Sequence, residues 1–200
     1  GLILASDGHF YGTTTSGGAN NLGTVFRMTP SGTLTTLAHL TTATGSAPRA
    51  PLIQALDGQF YGTTSANGTG NGTIFRMTSS GVITVLVNFS GTSGSFMGSS
   101  CQAGLIQASD GNLYGLTSTG GNGGGFGTVF RLTTSGAFTS LRSFTGTTGA
   151  TPGSAPLAAL VQASDGLLYG TTNVGGTGNL GTVFKTVSYT HLRAHETEAD

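Results

Sequence analysis

A phrase that recurs four times constrains this chain more than any single residue does. Ser-Asp-Gly, two residues, then Tyr-Gly occupies residues 6–12, 109–115 and 164–170, and residues 56–62 with Leu56 in place of the serine. A glycine-rich gap follows each copy, and then Gly-Thr-Val/Ile-Phe at residues 23–26, 72–75, 127–130 and 181–184. Successive turn aspartates, Asp7, Asp57, Asp110 and Asp165, stand 50, 53 and 55 residues apart. A period of that size marks units that cannot bury an apolar face alone and do so by stacking on their neighbours.

Each unit reads as two hairpins. The first is typified by residues 104–117, where Leu-Ile-Gln-Ala and Leu-Tyr-Gly-Leu-Thr flank Ser-Asp-Gly. Asp-Gly between apolar stretches is a strong hairpin signal, because glycine accepts positive φ and aspartate caps the turn backbone. The second runs over residues 23–37 around Pro-Ser-Gly, and Ser79-Ser80-Gly81 and Thr134-Ser135-Gly136 take the same turn position. Strand residues such as Val25, Phe26, Thr33 and Thr35 are β-branched or aromatic, and no window shows an apolar period of 3.6. The pattern predicts an all-β chain of tandem four-stranded antiparallel repeats, with at least fourteen strands and no helix in residues 1–186.

Four antiparallel strands in about 50 residues are the blade of a β-propeller; a β-solenoid is the alternative. The units fall at residues 1–50, 51–103, 104–156 and, in part, 157–186. Leu2, Leu52, Leu105 and Leu160, with Phe26, Phe75, Phe130 and Phe184, are the expected core. Only three second hairpins are complete, so the fourth blade is expected to lack a strand. An open arc is expected, with unpaired edges at the Gly1 and Lys185 ends; a closed four-bladed ring is the alternative.

Composition narrows the function. Charged residues make up 7% of the chain, against about 25% in an average domain, so hydroxyls and exposed backbone must supply solubility. A net charge of +0 gives no basic field for nucleic acid. No apolar run approaches the roughly 18 residues of a membrane span. Cys101 is the single cysteine, which excludes a disulfide framework. Residues 1–7 nearly duplicate residues 104–110; the sequence thus opens inside a repeat, reads as a fragment and carries no targeting information.

From residue 187 the composition changes. Residues 188–200 lack glycine and carry a net charge of −2 (Arg193 against Glu196, Glu198 and Asp200), whereas residues 1–187 carry +2. This tail resembles a translated sequencing adapter and is read as non-native or disordered. His191 and His195 beside Glu196 have the look of a zinc pair, but their order is not His-Glu-x-x-His.

The run DGxxYGTT, a glycine-rich gap, GTVFRMTPSGTLTTL and a return to LIQASDG resembles the GloVer tandem repeat of bacterial "choice-of-anchor" surface proteins. The resemblance spans about residues 1–186, with Leu56 for serine and Leu116 for threonine as departures. It implies a secreted or surface-anchored array, and it brings no catalytic residues to carry over.

The repeated side chains have structural explanations of their own. The four aspartates offer hard oxygens to Ca²⁺, yet no Asp-x-Asp run completes a shell, and a turn cap accounts for their recurrence. Tyr11, Tyr61, Tyr114 and Tyr169 fit half-buried strand positions and are also the weak candidates for ligand contact, stacking on sugar rings. Arg27, Arg76, Arg131 and Lys185 follow the core phenylalanine and face solvent or a neighbouring blade. The glycine strings lack the helix that a phosphate cradle needs, and His9 and His39 have no acid–nucleophile set around them. No catalytic, cofactor-binding or metal-binding residue is therefore assigned, and no cofactor is expected. The leading reading is a non-catalytic extracellular or cell-surface scaffold for binding or adhesion, to a glycan or a surface protein. A propeller-type carbohydrate-active enzyme with its catalytic residues outside this chain, and a structural spacer, are the alternatives.

Overall fold

The computed structural model describes residues 1–67 and 70–188. The described residues form four antiparallel sheets in chain order. The first holds β1 (Leu2–Leu4), β2 (Phe10–Thr14), β3 (Thr24–Met28) and β4 (Leu34–His39). The second holds β5 (Ile53–Gln54), β6 (Phe60–Thr63), β7 (Thr73–Met77) and β8 (Ile83–Asn88). The third holds β9 (Ile106–Gln107), β10 (Leu113–Thr117), β11 (Thr128–Leu132) and β12 (Phe138–Ser143). The fourth has three strands, β13 (Val161–Gln162), β14 (Leu168–Thr172) and β15 (Thr182–Thr186). Each sheet pairs its strands in sequence order, as successive hairpins require. The zinc-pair residues His191, His195 and Glu196 lie outside the described residues.

The turn chemistry acts as the sequence predicts. In the first hairpin the Gly8 N–H donates to the Ala5 carbonyl at 3.0 Å, with Gly8 at φ +79°, and Ala5 N–H closes the loop on His9 at 2.9 Å. This is a three-residue hairpin loop whose last position needs the left-handed conformation that glycine adopts freely. The second hairpin repeats it: Gly32 N–H donates to the Thr29 carbonyl, and Thr29 Oγ1 accepts from Thr33 N–H at 3.0 Å. A register shift between Val25 and Phe26, and at the matching positions of the next two units, bulges the outer strands β4, β8 and β12.

One departure from the all-strand expectation is a three-residue 3-10 turn, Thr177–Asn179, inside the last glycine-rich loop. Gly178 sits at φ +76° within it, so it cannot propagate as a helix.

The core lies between sheets. A seam between the first and second units joins Ala5, Tyr11 and Val25 to Leu52, Phe60, Phe75 and Met77. A second seam joins Ala55, Tyr61 and Ile74 to Leu105, Leu113 and Phe130, and a third joins Tyr114 and Val129 to Leu160, Leu168 and Phe184. Both kinds of expected core residue are therefore interface residues. Leu2 and Phe26 are the corrections: Leu2 is 52% exposed where Leu52 is 2% exposed, and Phe26 is only half-buried where Phe75 is fully buried, because among the described residues no unit lies in front of them.

The glycine of each Tyr-Gly pair belongs to this packing. A Cβ on Gly115 would lie 2.5 Å from Phe130 Cζ and 2.7 Å from Leu105 Cδ2. Gly62 and Gly170 meet Phe75 with Leu52, and Phe184 with Leu160, in the same way. The leucine and phenylalanine cross over a backbone that has no side chain, and that lets both bury.

Candidate functional site

Strand alternation divides each unit into two ends. The Ser-Asp-Gly and second-hairpin turns gather at one end. The described residues of the glycine-rich loops (16–22, 66–67 with 70–71, 119–126 and 174–180), with the inter-unit connections, gather at the other.

At the turn end the four aspartates and four tyrosines form identical clusters. Each Asp Oδ1 accepts the backbone N–H two residues on, at 3.0 Å from His9, 2.9 Å from Gln59, 3.0 Å from Asn112 and 2.9 Å from Leu167. Each Oδ2 accepts the tyrosine hydroxyl four residues on, at 2.8 Å for Tyr11 and 2.7 Å for Tyr61, Tyr114 and Tyr169. Both carboxylate oxygens are thus committed within the unit, which is the capping role read from the sequence. Burial raises the Asp7 pKa, but the His9 backbone N–H, the Tyr11 hydroxyl and the His9 ring outweigh it and hold the carboxyl below its ordinary value. Burial first, and the bonded carboxylate second, push the Tyr11 and Tyr61 hydroxyls above theirs. For Tyr169 the bond to Asp165 leads.

The structure separates the four tyrosines. Tyr11, Tyr61 and Tyr114 are buried in seams, and the Tyr11 ring stacks on Phe60 of the next unit at 4.1 Å between centroids. Tyr169 is half-buried and lines an open hollow with Ala158, Val161 and Val183. Arg27, Arg76 and Arg131 are half-buried and Lys185 is exposed; the Arg131 guanidinium donates to Thr139 Oγ1 at 3.2 Å. Cys101 is buried, and burial drives its thiol pKa up, so it presents no thiolate. Among the described residues no three His, Cys, Asp or Glu side chains come together.

Sequence reasoning passed over the glutamines. Gln54 Oε1 accepts from Ser6 N–H, Gln107 from Leu56 N–H and Gln162 from Ser109 N–H, each at 2.8 Å and each across a seam. Their Nε2 atoms donate to Gly58, Gly111 and Gly166 carbonyls of their own turns. Each glutamine therefore latches its turn to the turn before it. The signal in the sequence was its recurrence two residues before Ser-Asp-Gly, with Leu4 as the exception in the first unit.

At the loop end, connections clamp the next unit's glycine-rich loop. Ser46 bridges Ala66, Ser99 bridges Thr119 and Ser154 bridges Val174. Paired hydroxyls close the strand ends beneath: Thr64 with Thr73 at 2.9 Å and Thr117 with Thr128 at 2.8 Å, all four side chains buried. Above this common base the loops differ in length and composition. Leu180 is 87% exposed and Phe126 37%, so apolar groups stand in solvent there.

Repeated hairpins, seam residues and turns recur in step over the whole arc, and residues 1–184 match the Gloeobacter/Verrucomicrobia repeat. The chain belongs to that family. No curated protein matches it. Among solved structures it is similar to a streptogramin B lyase, at 18% identity and TM-score 0.54 over 94% of this chain and 54% of that one. It is also similar to a gluconolactonase-family protein, at 14% identity and TM-score 0.52 over 93% and 58%. A luciferin-regenerating enzyme matches at 11% identity and TM-score 0.52 over 94% and 61%. These neighbours have propeller-type folds, and at such identities the likeness establishes the fold alone. The chain of this repeat family is thus a propeller-like scaffold that spans little more than half the length of these neighbours. No helix among the described residues is long and apolar enough to cross a membrane.

Proposed function

We propose that this repeat arc is a non-catalytic binding scaffold of an extracellular or cell-surface bacterial protein, and that its glycine-rich loops contact the ligand, a glycan or a surface protein. The observation that carries the reading is the division of labour between the two ends. At the turn end the repeated aspartates, tyrosines and glutamines are spent on the fold, the aspartates and tyrosines on each other and the glutamines on the seams. At the loop end, loops of unlike sequence stand on a uniform base of paired threonines, which is how a rigid scaffold presents variable contacts. Tyr169 is the one tyrosine of the four with an open flank for a ring-stacking ligand; Tyr11, Tyr61 and Tyr114 serve the seams.

A glycan and surface-protein array probed with the whole chain tests this. Binding should survive Tyr61→Phe and weaken at least several-fold in a Phe126→Ala/Leu180→Ala variant that keeps the wild-type circular dichroism. Absence of binding across the array, or binding indifferent to the loops, refutes the reading. The second reading, a carbohydrate-active propeller enzyme, draws on the likeness to a gluconolactonase-family protein. It places the chemistry in units beyond the four described.

A further inference from the structure

In the first two units the end of the outer strand is tied to that unit's own glycine-rich loop. His39 Nδ1 accepts from Ala19 N–H at 3.2 Å, and Asn88 Oδ1 accepts from Asn67 Nδ2 at 3.3 Å. The third unit has Ser143 at that position: it lies opposite Thr128, as His39 lies opposite Thr24 and Asn88 opposite Thr73. The serine side chain is shorter, and its hydroxyl makes no hydrogen bond among the described residues. A hollow of about 180 Å³, open to solvent, stands there, lined by Met97, Asn122, Ser140, Leu141, Arg142 and Ser143. The third unit has a described unit on either side, so the opening comes from its own residues.

We propose that this gap is a subsite for one neutral sugar residue, which rests on the reading that the loop end contacts the ligand and names the chemistry it takes there. Three groups in the gap are unspent. The exposed Asn122 amide offers two donors and an acceptor, and the half-buried Ser140 and Ser143 hydroxyls each donate and accept. None of the three makes a hydrogen bond among the described residues. Nearby hydroxyls of the same unit are committed, Thr117 to Thr128 and Ser118 Oγ to the Ser100 carbonyl at 2.8 Å. Adjacent sugar hydroxyls, each both donor and acceptor, match such a set. Leu141, the extra residue of the β12 bulge, and Met97 supply apolar atoms for the C–H face of a ring. The hollow is smaller than the about 300–1,000 Å³ that holds a drug-sized ligand, so a single ring suits it. No carboxylate lines it, which leaves nothing for a cation, and the Arg142 guanidinium lies over the Phe184 ring at 5.9 Å.

Saturation-transfer NMR of the whole chain with the methyl glycosides of glucose, galactose, mannose and N-acetylglucosamine tests the proposal. At least one of the four should bind the wild type. Ser143→Asn installs the residue that ties the second unit's loop, and should weaken that sugar about threefold to tenfold, roughly the worth of one neutral hydrogen bond. Asn122→Ala changes an exposed side chain and should weaken it to a similar degree. Circular dichroism checks that both variants fold. Sugar binding unchanged in both variants overturns the subsite. A wild type that binds none of the four sugars overturns it as well. In either case the array result for the Phe126→Ala/Leu180→Ala variant decides separately whether the loops bind a ligand at all.

Discussion

Gly115→Ala tests the packing between units most sharply, because two effects of opposite sign compete. In a strand with room for a methyl group, replacing glycine by alanine stabilises by about 0.4–1 kcal/mol through the unfolded chain. At Gly115 there is no room. The new Cβ would stand 2.5 Å from Phe130 Cζ, 2.7 Å from Leu105 Cδ2 and 3.0 Å from Phe130 Cε2, against an optimal carbon–carbon separation of about 3.5–4.0 Å. Phe130 is 0% and Leu105 6% exposed, so neither can swing into solvent. Overpacking of this kind costs about 1–3 kcal/mol. The expected net loss is about 1–2 kcal/mol, or roughly 2–8 °C in melting temperature for a chain of this length. Thermal melts followed by circular dichroism, with urea midpoints as a second measure, report it. Phe130→Leu removes the crowding ring end, so the Gly115→Ala cost should shrink in that background. A control is Gly111→Asn: nothing lies within 4 Å of a Cβ there, and the only demand is φ +79°, which asparagine tolerates better than most residues. A Gly115→Ala variant as stable as the wild type, or a cost that persists unchanged in the Phe130→Leu background, would refute the argument that close approach selects this glycine.

Three further outcomes follow from the same geometry. Tyr61→Phe removes the 2.7 Å bond to Asp57 and should cost about 1–2 kcal/mol in a urea titration, at the low end for a charged partner because exposed Asp57 can rehydrate. Gln107→Leu breaks the latch to Leu56 and should cost about 0.5–1.5 kcal/mol. pH acts at both extremes. The Asp7 carboxyl is depressed in the fold, so its contribution is present above its unfolded value and disappears as pH falls through the folded value, which acid melts should show as a loss setting in below about pH 4. The Tyr11 and Tyr61 hydroxyls are raised, so their contribution is full below about pH 10 and is lost as pH climbs beyond. Ultraviolet titration should find these two tyrosines un-ionised until the fold opens.

The sequence by itself determined whatever depends on neighbours within a few residues. The hairpin turns were legible because Asp7 reaches His9 N–H and the Tyr11 hydroxyl across two and four positions, and Gly8 supplies the positive φ. The antiparallel four-stranded repeats and the propeller class followed from the period. Tertiary structure decided what depends on the unit next door. Tyr61 and Tyr169 sit in the same phrase, yet one is sealed in a seam and the other borders an open hollow, because among the described residues only the first has a following unit. Leu2 and Leu52 diverge for the mirror reason. Gln107 reads locally as one polar residue in a short strand, and its role appears only when Leu56, 51 residues earlier, is brought within 2.8 Å. The phenylalanine over Gly115 is likewise a fact of cross-strand approach. Local turn preferences are written in the order of residues; burial belongs to the surface that arrives from outside the unit.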